Sequence, residues 1–68
     1  MTDRCYHVIK IVGSSPKSIE GAVENAIAHV EDKHGSVRWF EVDETRGHVQ
    51  DGKVDHYQVS LSVGLSVK

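Results

Sequence analysis

Between Arg38 and Val59 the chain reads Arg38-Trp39-Phe40-Glu41-Val42-Asp43-Glu44-Thr45-Arg46-Gly47-His48-Val49-Gln50, then Asp51-Gly52, then Lys53-Val54-Asp55-His56-Tyr57-Gln58-Val59. This is the pattern of two strands joined at Asp51-Gly52, a dipeptide suited to a tight hairpin because both positions tolerate positive φ. A two-residue turn there fixes the register. Counted outward, Phe40 faces Val63, Val42 faces Leu61 and Glu44 faces Val59. On the opposite face Trp39 lies across from Gly64, Asp43 from Ser60 and Thr45 from Gln58. The same count puts Arg46 on the apolar side with Tyr57, unless a bulge near Gly47 re-aims it. Turn and apolar pattern agree, and a slip of one residue would move every side chain to the wrong face. The only tryptophan, Trp39, therefore falls on the face away from the main apolar stripe, together with Gln58. A glycine across from it is expected to leave room for a flat ligand.

Sixty-eight residues make one domain, 1–68. A chain this short buries only about 60% of its unfolded surface and is marginal without disulfides, metal or oligomerisation. The single cysteine, Cys5, excludes an intrachain disulfide and points to a reducing, cytoplasmic setting. No apolar run is long enough for a membrane span, and the start lacks the apolar core of a signal peptide. A net charge of −2 argues against nucleic acid as a partner. Self-association is the remaining route to stability.

Upstream, residues 5–12 are β-rich and run into the turn signal Gly13-Ser14-Ser15-Pro16. Tyr6, Val8 and Val12 line one face of this strand and Ile9 and Ile11 the other, which predicts cover on both sides. Ser18 is an N-cap candidate, with Ser15 before Pro16 as the competing helix start. Ile19, Ala22, Val23, Ala26, Ile27 and Val30 then fall on one helical face, and Gly35 is a natural stop. The order β-α-β-β predicts an α+β fold, a three-stranded antiparallel sheet packed on one amphipathic helix. One sheet face and the strand edges stay open, inviting pairing with other chains. A symmetric assembly would cover them and could build ligand sites from the same residue of two chains.

The residues that carry these features resemble those of the dodecins, small flavin-binding proteins that assemble as hollow dodecamers. The likeness runs through Val8-Ile9-Lys10-Ile11-Val12-Gly13-Ser14-Ser15-Pro16 and Ala22-Val23-Glu24-Asn25-Ala26-Ile27. It is densest in Arg38-Trp39-Phe40-Glu41-Val42, Arg46-Gly47-His48, Asp51-Gly52-Lys53-Val54 and His56-Tyr57-Gln58-Val59. The resemblance implies a homododecamer that binds FMN, riboflavin or an FAD-type flavin for storage and photoprotective sequestration, without catalysis. It implies that Trp39 stacks on the flavin ring, that Gln58 bonds its polar edge and that Arg46 lies near the site. An indole offers the flat π-surface such a ring needs. A primary amide supplies the donor and acceptor that its pyrimidine edge needs. Coenzyme A, bound by some members, is a second candidate ligand. The sequence departs from the family at Leu65 and Ser66, where many members carry an aromatic and then a basic residue. Weaker anchoring of an FMN phosphate or of coenzyme A follows.

Other chemistries are less well supported. His7, His29, His34, His48 and His56 lack the paired spacing of a zinc site, so no metal ligand is assigned. His48 and His56 flank the hairpin, where pairing chains would bring them together. Asp43, Glu44, Asp51 and Asp55 are the candidate set for a hard cation, but they lack EF-hand spacing and read as a solvated acidic face. A calcium-type or coenzyme A-binding cage with flavin incidental is the competing function. Cys5 has no base beside it in sequence, and Gly13-Ser14-Ser15-Pro16-Lys17-Ser18 is not a phosphate-binding Walker loop. Tautomerases of similar length rely on an amino-terminal proline, which Met1-Thr2 does not supply.

Overall fold

The computed structural model describes residues 5–67; Met1-Thr2 of the tautomerase comparison lies outside them. The elements follow the expected order: β1 (Tyr6–Ser15), α1 (Ile19–His34), β2 (Val37–Gln50) and β3 (Lys53–Ser66). They form one three-stranded sheet in the order β1-β3-β2, with both outer strands antiparallel to β3.

The helix is bounded by side-chain caps. Ser18 Oγ accepts the Gly21 N–H at 2.9 Å, so Ser18 is the N-cap. Ser15 instead shapes the approach, its Oγ accepting the N–H groups of Lys17 at 3.1 Å and Ser18 at 3.4 Å. At the other end Gly35 adopts φ 97°, which a residue with a side chain rarely takes, and its N–H returns to the Glu31 carbonyl at 3.1 Å.

Ala22, Val23, Ala26 and Val30 of α1 are buried against Val59, Leu61, Val63 and Leu65 of β3. Gly13 lets the helix approach β1 closely: a Cβ there would sit 2.2 Å from the Ala22 carbonyl oxygen. Ile27 packs at the margin of this core, whereas Ile19 in the first turn is 43% exposed. The helix covers β3 and β1 but barely reaches β2, so Phe40 and Val42 stay exposed on the helix side. Val8 and Val12 are exposed on the opposite face, so the double cover expected for the first strand is absent within one chain. β1 ends opposite Tyr57, and beyond it the hairpin continues as a two-stranded arm. The molecule consequently measures 54 × 20 × 14 Å.

The hairpin turn is as expected, with Asp51 at φ 54°, Gly52 at φ 76° and Gln50 opposite Lys53. Phe40 faces Val63, Val42 faces Leu61 and Trp39 faces Gly64, again as expected. Between these ends the uniform register fails. Glu44 faces Ser60 rather than Val59, Thr45 faces Val59 rather than Gln58, and Asp43 has no direct partner. Arg46 faces Gln58 instead of sitting with Tyr57 on the helix side. The cause is a bulge on β2 at Asp43, compensated by a second on β3 at Asp55. The Asp43 carboxylate accepts the Ser62 hydroxyl at 2.8 Å and Lys10 Nζ at 3.1 Å, which ties the bulge to the sheet.

Candidate functional site

The sheet face away from α1 carries the candidate residues in two groups. At one end the indole of Trp39 lies over Gly64, where a Cβ would sit 2.1 Å from Cε2 and 2.4 Å from Cζ2. The space above Gly64 is thus taken by the indole and is not a slot for a ligand, as its position across the sheet had suggested. Tyr6 meets the indole edge-on, with ring centroids 5.8 Å apart and planes at 72°. That contact fixes the ring against the sheet while Trp39 keeps 37% of its surface exposed. A held, partly exposed indole offers a flat π-surface on which a ring could stack.

At the other end Arg46 Nη1 donates to Gln58 Oε1 at 3.4 Å, and Arg46 Nη2 pairs with the Glu44 carboxylate at 2.5 Å. The bulge at Asp43 makes this possible, since without it Arg46 would point to the helix side. With its carbonyl oxygen facing Arg46, Gln58 turns its NH2 outward as a donor.

Between the two groups lies an open depression of about 590 Å³, bordered by Lys10, Val12, Asp43, Glu44 and Ser60. The Ser62 hydroxyl and then Lys10, both bonded to Asp43, hold its carboxyl below the usual carboxylate range, against a smaller opposing effect of desolvation. Neither Trp39 nor Gln58 borders this depression.

Trp39 and Gln58 share a face, but they do not share a site within one chain. Gly64, beneath Trp39, and Gln58 are six residues apart on β3. At about 3.3 Å per residue that is about 20 Å, more than a three-ring flavin spans.

The acidic candidates do not converge. Asp43 is engaged by Ser62 and Lys10, Glu44 by Arg46 and Asp55 by His56, while Asp51 sits in the turn. Among the described residues no group of three or more His, Cys, Asp or Glu side chains gathers to hold a metal ion. Nor is any helix among them long and apolar enough to cross a membrane. Sequence reasoning missed the pairing of His48 with His56 within one chain, where the rings stack 4.4 Å apart. The uniform register sets His48 against Asp55, and no compositional signal marks the bulge that changes this.

A family model described as Dodecin matches residues 5–68. The chain belongs to the dodecin family. A dodecin of Thermus thermophilus is 34% identical over 65 residues, covering 96% of this chain and 94% of that one. The solved dodecin of Streptomyces davaonensis superposes with a TM-score of 0.91 at 36% identity, covering 98% of both chains. The calcium chelating immunodominant antigen of Mycobacterium tuberculosis, calcium dodecin, superposes at 0.80 with 32% identity over 94% of this chain and 91% of that one. A structure of that protein is described as having a novel calcium-binding site. The β-α-β-β fold and its three-stranded antiparallel sheet are therefore those of a dodecin.

Proposed function

We propose that this chain binds a flavin such as riboflavin or FMN without catalysis, storing it and quenching its excited state in a homododecameric, cytoplasmic assembly. Trp39 supplies the stacking surface, worth about 0.5–1.5 kcal/mol beyond the area it buries. Gln58, backed by Arg46, supplies hydrogen bonds for the polar edge of the ring. The observation that carries the reading is the bulge at Asp43, which turns Arg46 to Gln58 on the face that also displays Trp39.

The separation of about 20 Å along β3 adds a condition. One ring that meets both an indole and an amide must take Trp39 from one chain and Gln58 from another. Self-association is thereby part of the site. It also suits the exposed Val8, Val12, Phe40, Val42, Val49 and Val54, apolar surface that a marginal 68-residue fold gains by covering. The number twelve comes from family membership.

A cation store is the second reading, favoured by the likeness to the calcium dodecin. Against it, Asp43, Glu44 and Asp55 are engaged by Lys10, Arg46 and His56 of the same chain. Coenzyme A is the other alternative.

The test is titration of riboflavin and of FMN with the protein, following flavin fluorescence. Near-complete quenching that saturates at about one flavin per chain, and is much weakened in Trp39→Ala, is the expected result. Unquenched flavin at micromolar protein would remove the flavin reading and leave the calcium and coenzyme A alternatives.

A further inference from the structure

Past Arg46 and Gln58 the same face of the hairpin carries a cluster that flavin binding does not use. His48 and His56 are direct cross-strand partners, with ring centroids 4.4 Å apart and planes 17° from parallel. Beside them His56 Nδ1 lies 2.7 Å from the Asp55 carboxylate. A carboxylate only accepts, so Nδ1 carries the proton, and in the neutral ring the lone pair of His56 is on Nε2. Neighbours on a regular strand point to opposite faces. The bulge at Asp55 lets Asp55 and His56 turn the same way and touch.

We infer that His48 and His56 form a two-imidazole site for a borderline divalent transition-metal ion such as Cu²⁺ or Zn²⁺, with Asp55 orienting His56. Imidazole nitrogen suits these ions, whereas calcium takes oxygen ligands. A carboxylate on the remote ring N–H is the usual outer partner of a metal-bound histidine, fixing its tautomer and raising its basicity. The strand register already holds the two side chains on one face, but the stacked rings aim their in-plane lone pairs side by side, so the ion must turn the rings out of their stack. Bonds of about 2.0–2.1 Å need the two nitrogens about 3 Å apart with both lone pairs converging, which requires rotation of the side chains about χ1 and χ2 on the fixed strands. Access is open, because His48 is exposed and the His56 side chain is 30% exposed. With no third side-chain ligand gathered among the described residues, water or the same pair from a second chain completes the coordination. This site is separate from the flavin residues, so either can fail without the other.

Titration of flavin-free protein with Cu²⁺, followed by electron paramagnetic resonance, tests it. The expected spectrum shows hyperfine coupling to two imidazole nitrogens and is lost in both His48→Gln and His56→Gln. Asp55→Ala keeps the two-nitrogen pattern but binds about 10–100-fold more weakly. Far-ultraviolet circular dichroism, measured in parallel, reports that each variant is folded. The same two-nitrogen spectrum in the variant lacking both His48 and His56, or no bound Cu²⁺ in the native protein, overturns the assignment.

Discussion

The indole of Trp39 rests on the backbone of Gly64, so close that a single methyl group at position 64 would overlap it, 2.1 Å from Cε2. Glycine is therefore the residue that lets the indole lie along the sheet instead of standing away from it. Gly64→Ala must push the ring off its seat and away from the edge of Tyr6. The fold is expected to survive, losing about 1–3 kcal/mol to the forced repacking. Flavin quenching is expected to fall nearly as far as in Trp39→Ala. Urea unfolding and flavin titration of the one variant measure both effects.

In the proposed site Arg46 acts on the ligand by way of Gln58, whose carbonyl oxygen it holds at 3.4 Å. Arg46→Ala is expected to weaken flavin binding about fivefold, the worth of one hydrogen bond of about 1 kcal/mol. The maximum quenching at saturation should not change, since the indole is untouched. A fluorescence titration separates the two, reading affinity from its midpoint and stacking from its plateau.

Asp43 gives the fold an acid-sensitive tie. Its folded pKa lies below the ordinary 3.8 because Ser62, then Lys10, bond its carboxylate. As pH falls, the unfolded chain takes up this proton first, so the contribution to stability is complete above the ordinary value. It is lost as pH drops through the lower folded value. Asp43→Asn should be less stable than the native protein near neutral pH and converge with it in acid. Urea midpoints across an acid series check this.

Gly13 packs against backbone, not against a side chain able to move. Its added Cβ would meet the Ala22 carbonyl oxygen at 2.2 Å and the Ala26 Cβ at 2.8 Å. Gly13→Ala should therefore separate α1 from β1 and cost about 3 kcal/mol, the upper part of the range for overpacking. Thermal unfolding measures it, and an unchanged midpoint would contradict the close helix approach.

Riboflavin and FMN should bind with similar affinity. Position 66, where many dodecins carry a basic residue, is serine here, which leaves the FMN phosphate without that charged partner. Parallel titrations of the two flavins test this directly.

Much of this architecture was legible in the residues. Asp51-Gly52 defined the turn, and the alternation around it placed Trp39 on the open face and Phe40 and Val42 on the other. The middle of the hairpin was legible only as a bulge near Gly47 that could re-aim Arg46, while the bulges fall on either side of it. Bulges at Asp43 and Asp55 lie on opposite strands and cancel, so a register counted from the turn is right again by Val42 and conceals the shift between. Arg46 meets Gln58, and His48 meets His56, only inside that shifted segment. Alternation also assigns faces without assigning neighbours. That β1 flanks β3, bringing Tyr6 to Trp39 and Lys10 to Asp43, follows from tertiary packing. The distance between Trp39 and Gln58 needed no new information, only the rise of a strand applied to their positions.

The most direct measurement asks whether one flavin is held by two chains. Trp39→Ala and Gln58→Ala chains are unfolded together, refolded as a mixture, and titrated with riboflavin beside each variant refolded alone. If Trp39 and Gln58 act on one ring from different chains, random mixing restores both residues at about one quarter of the sites. A fraction of tight, quenched binding then appears that neither variant shows by itself. A mixture that behaves as the plain sum of its two components would contradict a site shared between chains.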